Sequence, residues 1–158
     1  MSDNTCISMS LQNPVKAMLR LAHTTTANHY QYYHNAALNV ESPQVKALLM
    51  VLADTEAELM DHLKNMMARG IIAELEEITE ASDRYDAPDE MPFDLTREDM
   101  DPRIFVCNRA LEKELKGYTF FLSIAARAKS KVISRLFEYL AYVKVKQISR
   151  IRKVCQTF

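Results

Sequence analysis

The chain repeats itself at a constant offset of 88 residues, and this repeat strongly restricts what it can fold into. Residues 14–67 align with residues 102–155 without a gap, and small, aromatic and helix-capping positions match together. Chance similarity between two amphipathic hairpins would not readily preserve all of these, so we infer two similar units related by a pseudo-twofold axis. The identical pairs are Pro14 and Pro102, Ala22 and Ala110, Tyr30 and Tyr118, Ala37 and Ala125, Ser42 and Ser130, and Leu52-Ala53 and Leu140-Ala141.

Each unit is predicted to be a helical hairpin. A capping side chain stands directly before proline at Asn13, Ser42 and Asp101, the usual pattern of a helix start, and Ser130 is a fourth candidate cap. Gly70 is a typical helix end. Apolar residues recur at helical spacing between these signals, and the links inside each pair are short enough to require antiparallel packing. The predicted helices are residues 14–39, 43–69, 102–128 and 131–155.

Residues 70–101 connect the two hairpins and are long enough to cross a whole bundle. We expect them to begin as a helical extension over residues 71–81 and to be irregular over residues 84–93, where Pro and Asp are frequent. The fold class is therefore predicted to be all-α. It would be a single domain over residues 1–158, an antiparallel four-helix bundle made of two repeated hairpins and a long crossover.

Charge is unevenly distributed, although the formal net charge is only -1. Residues 71–101 carry 12 acidic and 2 basic residues, whereas residues 102–158 carry 13 basic and 3 acidic ones, so we expect the acidic crossover to lie against a basic helix pair. A protein partner on the acidic crossover or on the basic fourth helix is a second interpretation. Nucleic-acid binding is a third, which we do not expect, and its candidate residues are Lys131, Arg135, Lys146, Arg150, Arg152 and Lys153.

Several features predict a cytoplasmic protein. No apolar run reaches the roughly 18 residues of a membrane span, and residues 1–12 lack the basic and then apolar pattern of a secretory signal. Cys6, Cys107 and Cys155 do not have metal-binding spacing, and we interpret them as reduced thiols.

Short runs in both hairpins resemble a known family. The resemblance is to the rubrerythrin branch of the ferritin-like superfamily, over residues 14–69 and 102–155 and without a rubredoxin-like Cys-x-x-Cys module. It implies a four-helix bundle with a long crossover between the second and third helices, and a homodimer. The runs that carry it are Tyr30-Gln31-Tyr32-Tyr33, Ala36-Ala37, Leu52-Ala53-Asp54-Thr55-Glu56, Glu114 with Gly117-Tyr118-Thr119-Phe120-Phe121, and Leu136-Phe137 with Leu140-Ala141.

The resemblance also implies where a diiron site would lie. The usual arrangement has one Glu on each of two helices and a Glu-x-x-His motif on each of the other two. Only Glu56 and Glu114 match a ligand type here, and the first predicted helix has no acidic residue at all. The six positions fall on Thr26, Glu56, Leu59, Glu114, Lys144 and Gln147.

Lys144 turns the implied metal site into a predicted salt-bridge cluster. An ammonium would repel cations, and it would balance Glu56 and Glu114, which would otherwise be costly buried anions. Thr26 and Gln147 are expected to donate hydrogen bonds to this cluster. The alternative is a single-metal site formed by Glu56, Glu114 and His29.

Two further predictions concern aromatic and histidine side chains. His62 lies four residues after Glu58, so the two are expected to make a surface contact on one helix face. Aromatic packing near the former metal site is expected for Tyr30, Tyr32, Tyr33 and Tyr118.

The sequence favours a non-catalytic, metal-free ferritin-like protein that acts as a structural, assembly or regulatory interaction module. It would have no catalytic residue and no cofactor. The loss of four of the six expected ligand positions is the main reason. The alternative is an iron-binding or peroxidase-like oxidoreductase of the same superfamily, with an atypical site for iron or another divalent metal.

Overall fold

The computed structural model describes the backbone of residues 2–78 and 85–158 and the side chains of residues 14–78 and 85–158. Throughout this described part the regular structure is helical and there is no strand, which confirms the all-α prediction. None of the described helices is both long enough and apolar enough to cross a membrane. The helices are α1 (Ser2–Asn39), α2 (Pro43–Arg69), α3 (Ile71–Glu77), α4 (Pro102–Arg127) and α5 (Lys131–Cys155).

Three of the predicted caps start helices in the structure. The side chains of Ser42, Asp101 and Ser130 each accept a hydrogen bond from a backbone N–H in the first turn of α2, α4 and α5. Gly70 ends α2 at a φ of 99°, where a residue with a side chain would be strained. These local signals explain why the three helices begin where the sequence predicts.

The start of the first helix was predicted wrongly, because α1 begins at Ser2 and Pro14 lies inside it. Asn13 is therefore not a helix cap. Proline lacks an N–H and removes one hydrogen bond to the preceding turn, but this loss is local and a helix can continue past it. A capping residue before proline marks a helix start only when the preceding segment is not itself helical.

The long helices pack as two hairpins, α1 against α2 and α4 against α5. The links at residues 40–42 and 128–130 are so short that the helices in each pair must be antiparallel. The hairpins meet through α2, which contacts both α5 and α4, and α1 and α4 approach each other less closely than α2 and α5 do. This arrangement leaves space between α1 and α4 that side chains line.

The crossover begins with a helix, as predicted, but α3 is a separate helix of 7 residues after Gly70. Residues 85–92 are irregular, and residues 79–84, which include the predicted end of the helical extension, lie outside the described part. The guanidinium of Arg152 donates to the backbone carbonyls of Asp89 at 2.5 Å and Met91 at 2.7 Å. Arg109 pairs with Glu98 at 3.1 Å. The acidic crossover therefore lies against α4 and α5, as the charge distribution predicts.

Two apolar clusters fill the interior, and residues that are 88 positions apart lie in different clusters. In each of four pairs of buried residues, one member belongs to the first cluster and the other to the second. The two clusters are therefore equivalent under the repeat, as two similar hairpins would require. The four pairs are Tyr33 and Phe121, Leu49 and Phe137, Leu52 and Leu140, and Leu63 and Ile151.

Cys107 and Cys155 form a disulfide within the second apolar cluster. The prediction of reduced thiols is wrong for these two residues. Their separation of 48 residues gives no sign of a bond, but antiparallel packing brings the start of α4 next to the end of α5. The side chain of Cys6 lies outside the described residues.

Candidate functional site

Three charged side chains lie in the interior at the level between the two apolar clusters. They are Glu56 on α2, Glu114 on α4 and Lys144 on α5, and each is 0% exposed. Each one follows the helical spacing of its apolar neighbours, as Glu56 does between Leu52 and Leu59. The amphipathic pattern that buries the core therefore carries these charges inside with it.

The Lys144 ammonium has three acceptors around it. Its Nζ lies 2.5 Å from Oε1 of Glu56, 3.0 Å from Oε2 of Glu114 and 2.7 Å from Nδ1 of His29. An ammonium has three N–H donors, and Glu56 and His29 each accept one of them. The contact with Glu114 Oε2 is close but poorly aligned for a hydrogen bond, so charge attraction is its main component.

His29 is neutral in this arrangement. Burial, and then the positive charges of Lys144 and Lys113, lower the pKa of His29 from 6.5 to about 3. Because an ammonium can only donate, Nδ1 of His29 is the acceptor and the ring proton is assigned to Nε2. Oε1 of Glu56 is 3.9 Å from the same Nδ1, but a neutral ring makes no ion pair with it.

Tyr33 completes the buried cluster from α1. Its hydroxyl donates to Oε1 of Glu114 at 2.5 Å. Burial, and then the charge of Glu114, raise the pKa of Tyr33 well above its ordinary value, so the hydroxyl keeps its proton. Glu114 therefore holds one oxygen against a neutral donor and the other against the Lys144 ammonium.

Of the four tyrosines predicted near the site, Tyr33 is the one that contacts Glu114. Tyr32 packs edge-on against Tyr33, with ring centroids 5.5 Å apart, and so borders the cluster. The predicted aromatic group is therefore divided between separate places. The remaining pairs are Tyr30 with His34 and Tyr118 with Tyr85.

Two carboxylates against one ammonium leave an excess of buried negative charge. Burial raises the pKa of Glu56, the charge of Lys144 opposes this and that of Glu114 adds to it, so that the pKa ends above its ordinary value. Burial lowers the pKa of Lys144, but the charges of Glu114 and Glu56 together raise it above its ordinary value. Within the described residues, Oε2 of Glu56 is buried without a hydrogen bond. Lys144 thus stays an ammonium, and the charge of Glu56 is destabilised.

The structure assigns other partners to three of the six positions implied by the resemblance. Thr26 donates to the Ala22 carbonyl at 2.7 Å, because a hydroxyl on a helix readily reaches the carbonyl four residues back. The Gln147 amide donates to the Leu52 carbonyl at 3.2 Å, and Gln147 is the smallest of the influences that lower the pKa of Glu56. Leu59 packs in the first apolar cluster. The expected role of Thr26 is therefore wrong, and that of Gln147 is minor.

The partnership of His29 with Lys144 was missed, although the sequence contained a sign of it. Gly117 is an interior helical glycine, and it stands opposite His29 by the 88-residue offset. A Cβ at Gly117 would lie 3.3 Å from Cε1 of His29 and 3.3 Å from Cδ and Cε of Lys144. The glycine therefore makes room for both side chains.

The residues of this site do not fit a diiron centre. The Nζ of Lys144 occupies the point on which Glu56, Glu114 and His29 converge, so an ion could bind there only if Lys144 left. Over the side chains that the structure describes, no group of three or more His, Cys, Asp or Glu is placed to hold a metal ion. The ammonium stands where the resemblance would place a cation.

A second charged network holds α3 against α2. Arg69 donates to Glu74 and, at 2.7 Å, to Glu77, while Nδ1 of His62 lies 2.9 Å from Glu74. Hydrogen bonds from His62 and then Arg69 lower the pKa of Glu74 from 4.5 to about 2. The predicted contact of His62 with Glu58 is present at 3.7 Å, but Glu74 is the nearer partner.

Comparisons with family models, curated proteins and solved structures gave no match for this chain in any of the three. No relative therefore supplies a function. The buried cluster around Lys144 is the feature from which a function can be inferred.

Proposed function

We propose that this chain is a non-catalytic, metal-free protein of the rubrerythrin-like, ferritin-like type, with a degenerate diiron site. The single observation that carries the proposal is the place of Lys144 Nζ, between Glu56 and Glu114. A buried ammonium supplies the positive charge that a metal would supply, and it repels divalent cations. On this proposal the four long helices form one ferritin-like four-helix bundle, which serves as a structural, assembly or regulatory interaction module.

The chemistry of the cluster supports a structural role. Lys144 is a buried ammonium, and a lysine acts as a nucleophile or base only after losing its proton. Tyr33 keeps its proton and donates a hydrogen bond to Glu114. His29 uses Nδ1 to accept from Lys144, so this nitrogen is not free to act as a base. Among the described residues, Glu56 Oε2 has no hydrogen bond, and Glu114 Oε2 has an ion pair with Lys144 and no hydrogen bond.

The alternative is an iron-binding or peroxidase-like oxidoreductase, and one observation favours it. Glu56, Glu114 and His29 each contact Lys144 Nζ, and two carboxylates and an imidazole are a ligand type that suits iron, although these three groups are not placed to hold an ion as they stand. Binding would need Lys144 to leave a position where it is 0% exposed. The metal content of the purified protein separates the two proposals.

The test is elemental analysis of the full-length protein, produced with iron, manganese and zinc present and purified by gel filtration without chelator. We expect no stoichiometric metal. A stoichiometric ion that survives gel filtration would overturn the proposal in favour of the alternative.

Substitution of Lys144 gives a matched control. Lys144→Ala frees the convergence point, and we expect it to bind Co²⁺ with visible absorption that the wild type lacks. Lys144→Ala combined with Glu114→Gln should lose that absorption, because one carboxylate ligand is gone. Equal Co²⁺ binding by the wild type and Lys144→Ala would show that the ammonium does not occupy the cation position.

The proposal includes surfaces for protein partners. Contacts within the chain reduce the charged groups that are left for such partners. A homodimer is implied by the resemblance, and an acidic or basic protein partner by the charge distribution. On α5, Arg150 donates to Thr55 at 3.0 Å and Arg152 to the crossover, so these two guanidiniums already have partners. The basic surface that remains is smaller than the sequence indicates, and nucleic-acid binding gains no support.

A cytoplasmic location stays a prediction. The disulfide between Cys107 and Cys155 counts against it, because the cytosol keeps most protein thiols reduced. Alkylation of thiols at cell lysis, followed by mass spectrometry, would show whether the bond is present in the producing cell.

A further inference from the structure

A cleft with a volume of 380 Å³ opens between α1 and α4, directly outside the buried cluster. Its walls include three pairs of residues that are 88 positions apart, so the cleft lies on the pseudo-twofold axis. The pairs are Thr25 and Lys113, His29 and Gly117, and Tyr32 and Phe120.

The two halves of the cleft are alike in their aromatic residues and different in their polar ones. Tyr32 and Phe120 occupy equivalent positions, so each hairpin contributes one ring to the walls. The second hairpin has Lys113 where the first has Thr25, and glycine where the first has His29. The cleft therefore offers two aromatic surfaces together with an ammonium and an imidazole on different helices.

Lys113 is the cation of this cleft that lacks a counter-charge. Arg109 and Lys116, at the rim, pair with Glu112 at 3.1 Å and 2.9 Å. In the described part of the chain no carboxylate lies within ion-pair distance of Lys113, and its Nζ sits 4.4 Å from the centroid of the Tyr32 ring. Burial, and then repulsion from Lys144, lower the pKa of Lys113, so a bound anion would compensate an unfavourable charge.

His29 supplies a second donor to the same cleft. Its Nδ1 accepts from Lys144, which places the ring proton on Nε2, on the far side of the ring from that bond. Because His29 lines the cleft, this N–H is available to a ligand. A ligand oxygen that accepts a hydrogen bond from Nε2 would be linked to the buried Lys144 by the His29 ring, whose Nδ1 accepts from Lys144.

We propose that the cleft between α1 and α4 binds a small aromatic carboxylate. The carboxylate is held by Lys113 and by Nε2 of His29, and the ring lies against Tyr32 and Phe120. The volume is at the low end of the range of about 300–1,000 Å³ that ligand sites occupy, which suits a one- or two-ring acid. This inference goes beyond the metal-free module, since Lys113, Tyr32 and Phe120 lie outside the buried cluster.

The probe is 2-naphthoate, titrated calorimetrically into the full-length, chelator-treated protein. We expect it to bind with a Kd below about 1 mM, and Lys113→Gln to weaken binding about tenfold, the equivalent of about 1.4 kcal/mol. Lys64→Gln is the matched control, because Lys64 is an exposed lysine on α2, away from the cleft. This variant should bind 2-naphthoate with the affinity of the wild type. Phe120→Ala should also weaken binding, through loss of ring contact.

Three comparisons decide the result. 2-Naphthamide, which lacks the negative charge, and inorganic phosphate, which lacks the ring, should each bind at least about tenfold more weakly than 2-naphthoate. The ring resonances of His29 should shift on addition of 2-naphthoate, and those of His34 should not. Equal affinity for the amide, equal affinity of Lys113→Gln, or no binding of 2-naphthoate at about 1 mM would each overturn the proposal. Metal analysis of the same sample is independent of all of these, so the two proposals can fail separately.

Discussion

Replacing Lys144 by Met would remove the positive charge between Glu56 and Glu114 and keep most of the length of the side chain. Both carboxylates are 0% exposed, and their oxygens lie 2.5 Å and 3.0 Å from the ammonium. Without it, two buried anions would face each other with no cation between them. Lys144→Met is therefore expected to destabilise the protein strongly at neutral pH.

Two estimates of the size of this effect agree. Removing one partner of a buried salt bridge costs about 3–5 kcal/mol, because the other charge stays buried. Lys144 also donates two hydrogen bonds, one to Glu56 and one to His29. Hydrogen bonds of charged groups contribute about 1.5–3 kcal/mol each, so losing both gives a similar sum. Since the free energy of unfolding of a domain is about 5–15 kcal/mol, the loss is a large part of the total.

The loss should also depend on pH, with a predictable sign. The pKa of Glu56 is already raised above 4.5, and it would rise further without the ammonium. A carboxyl with a raised pKa binds its proton more tightly in the folded state, so folding becomes more favourable as the pH falls. The difference between Lys144→Met and the wild type should therefore shrink as the pH falls from neutral towards 4.5.

Urea unfolding followed by far-ultraviolet circular dichroism measures this effect. Lys153→Met is the matched control, because Lys153 is an exposed lysine on the same helix and should change the stability by less than about 0.5 kcal/mol. Adding Glu56→Gln to Lys144→Met should restore part of the loss, since one buried charge is then removed. If Lys144→Met is as stable as Lys153→Met at neutral pH, Lys144 does not balance the two carboxylates.

Two other predictions concern the disulfide between α4 and α5 and the ion pairs of Glu74 on α3. Reduction of the disulfide between Cys107 and Cys155 should lower the free energy of unfolding by about 2–4 kcal/mol, measured by urea unfolding with and without reductant. A Cys107→Ser, Cys155→Ser variant should not respond to reductant, and 3 titratable thiols in non-reduced, unfolded protein would contradict the bond. Because the pKa of Glu74 is lowered from 4.5 to about 2, its ion pairs stabilise the protein above pH 4.5 and are lost as the pH falls towards 2. Melting curves should therefore show Glu74→Gln less stable than the wild type at neutral pH and equally stable near pH 2. A difference that stays constant with pH would refute the lowered pKa of Glu74.

The sequence predicted the parts of the structure that depend on local signals. Ser42, Asp101 and Ser130 begin helices because each presents an acceptor to backbone N–H groups in its own first turn. The same reasoning failed at Pro14, where the residues before the proline are helical too. Local patterns thus predict a helix boundary when both sides of it are known.

The contacts of the site were only partly predictable, because they depend on which helix faces meet. The repeat and the resemblance identified Glu56, Glu114 and Lys144, since all three follow the apolar pattern into the interior. The pairing of Lys144 with His29 depends on the space left by Gly117, and the Cys107–Cys155 bond depends on how α4 and α5 are aligned along their axes. The 88-residue offset points from Gly117 to His29, but residue spacing gives no sign that Lys144 shares this space or that the two cysteines meet.

The contact between Glu56 and Lys144 joins two positions that the repeat makes equivalent. If either hairpin paired with a second copy of itself in the same way, these positions would meet as Glu against Glu or as Lys against Lys. For the first hairpin this would bury two carboxylates side by side, whereas the pairing of the first with the second hairpin places Glu56 against an ammonium. The salt bridge therefore disfavours self-association of the first hairpin at its centre, while in the second hairpin Glu114 accompanies Lys144 and balances its charge.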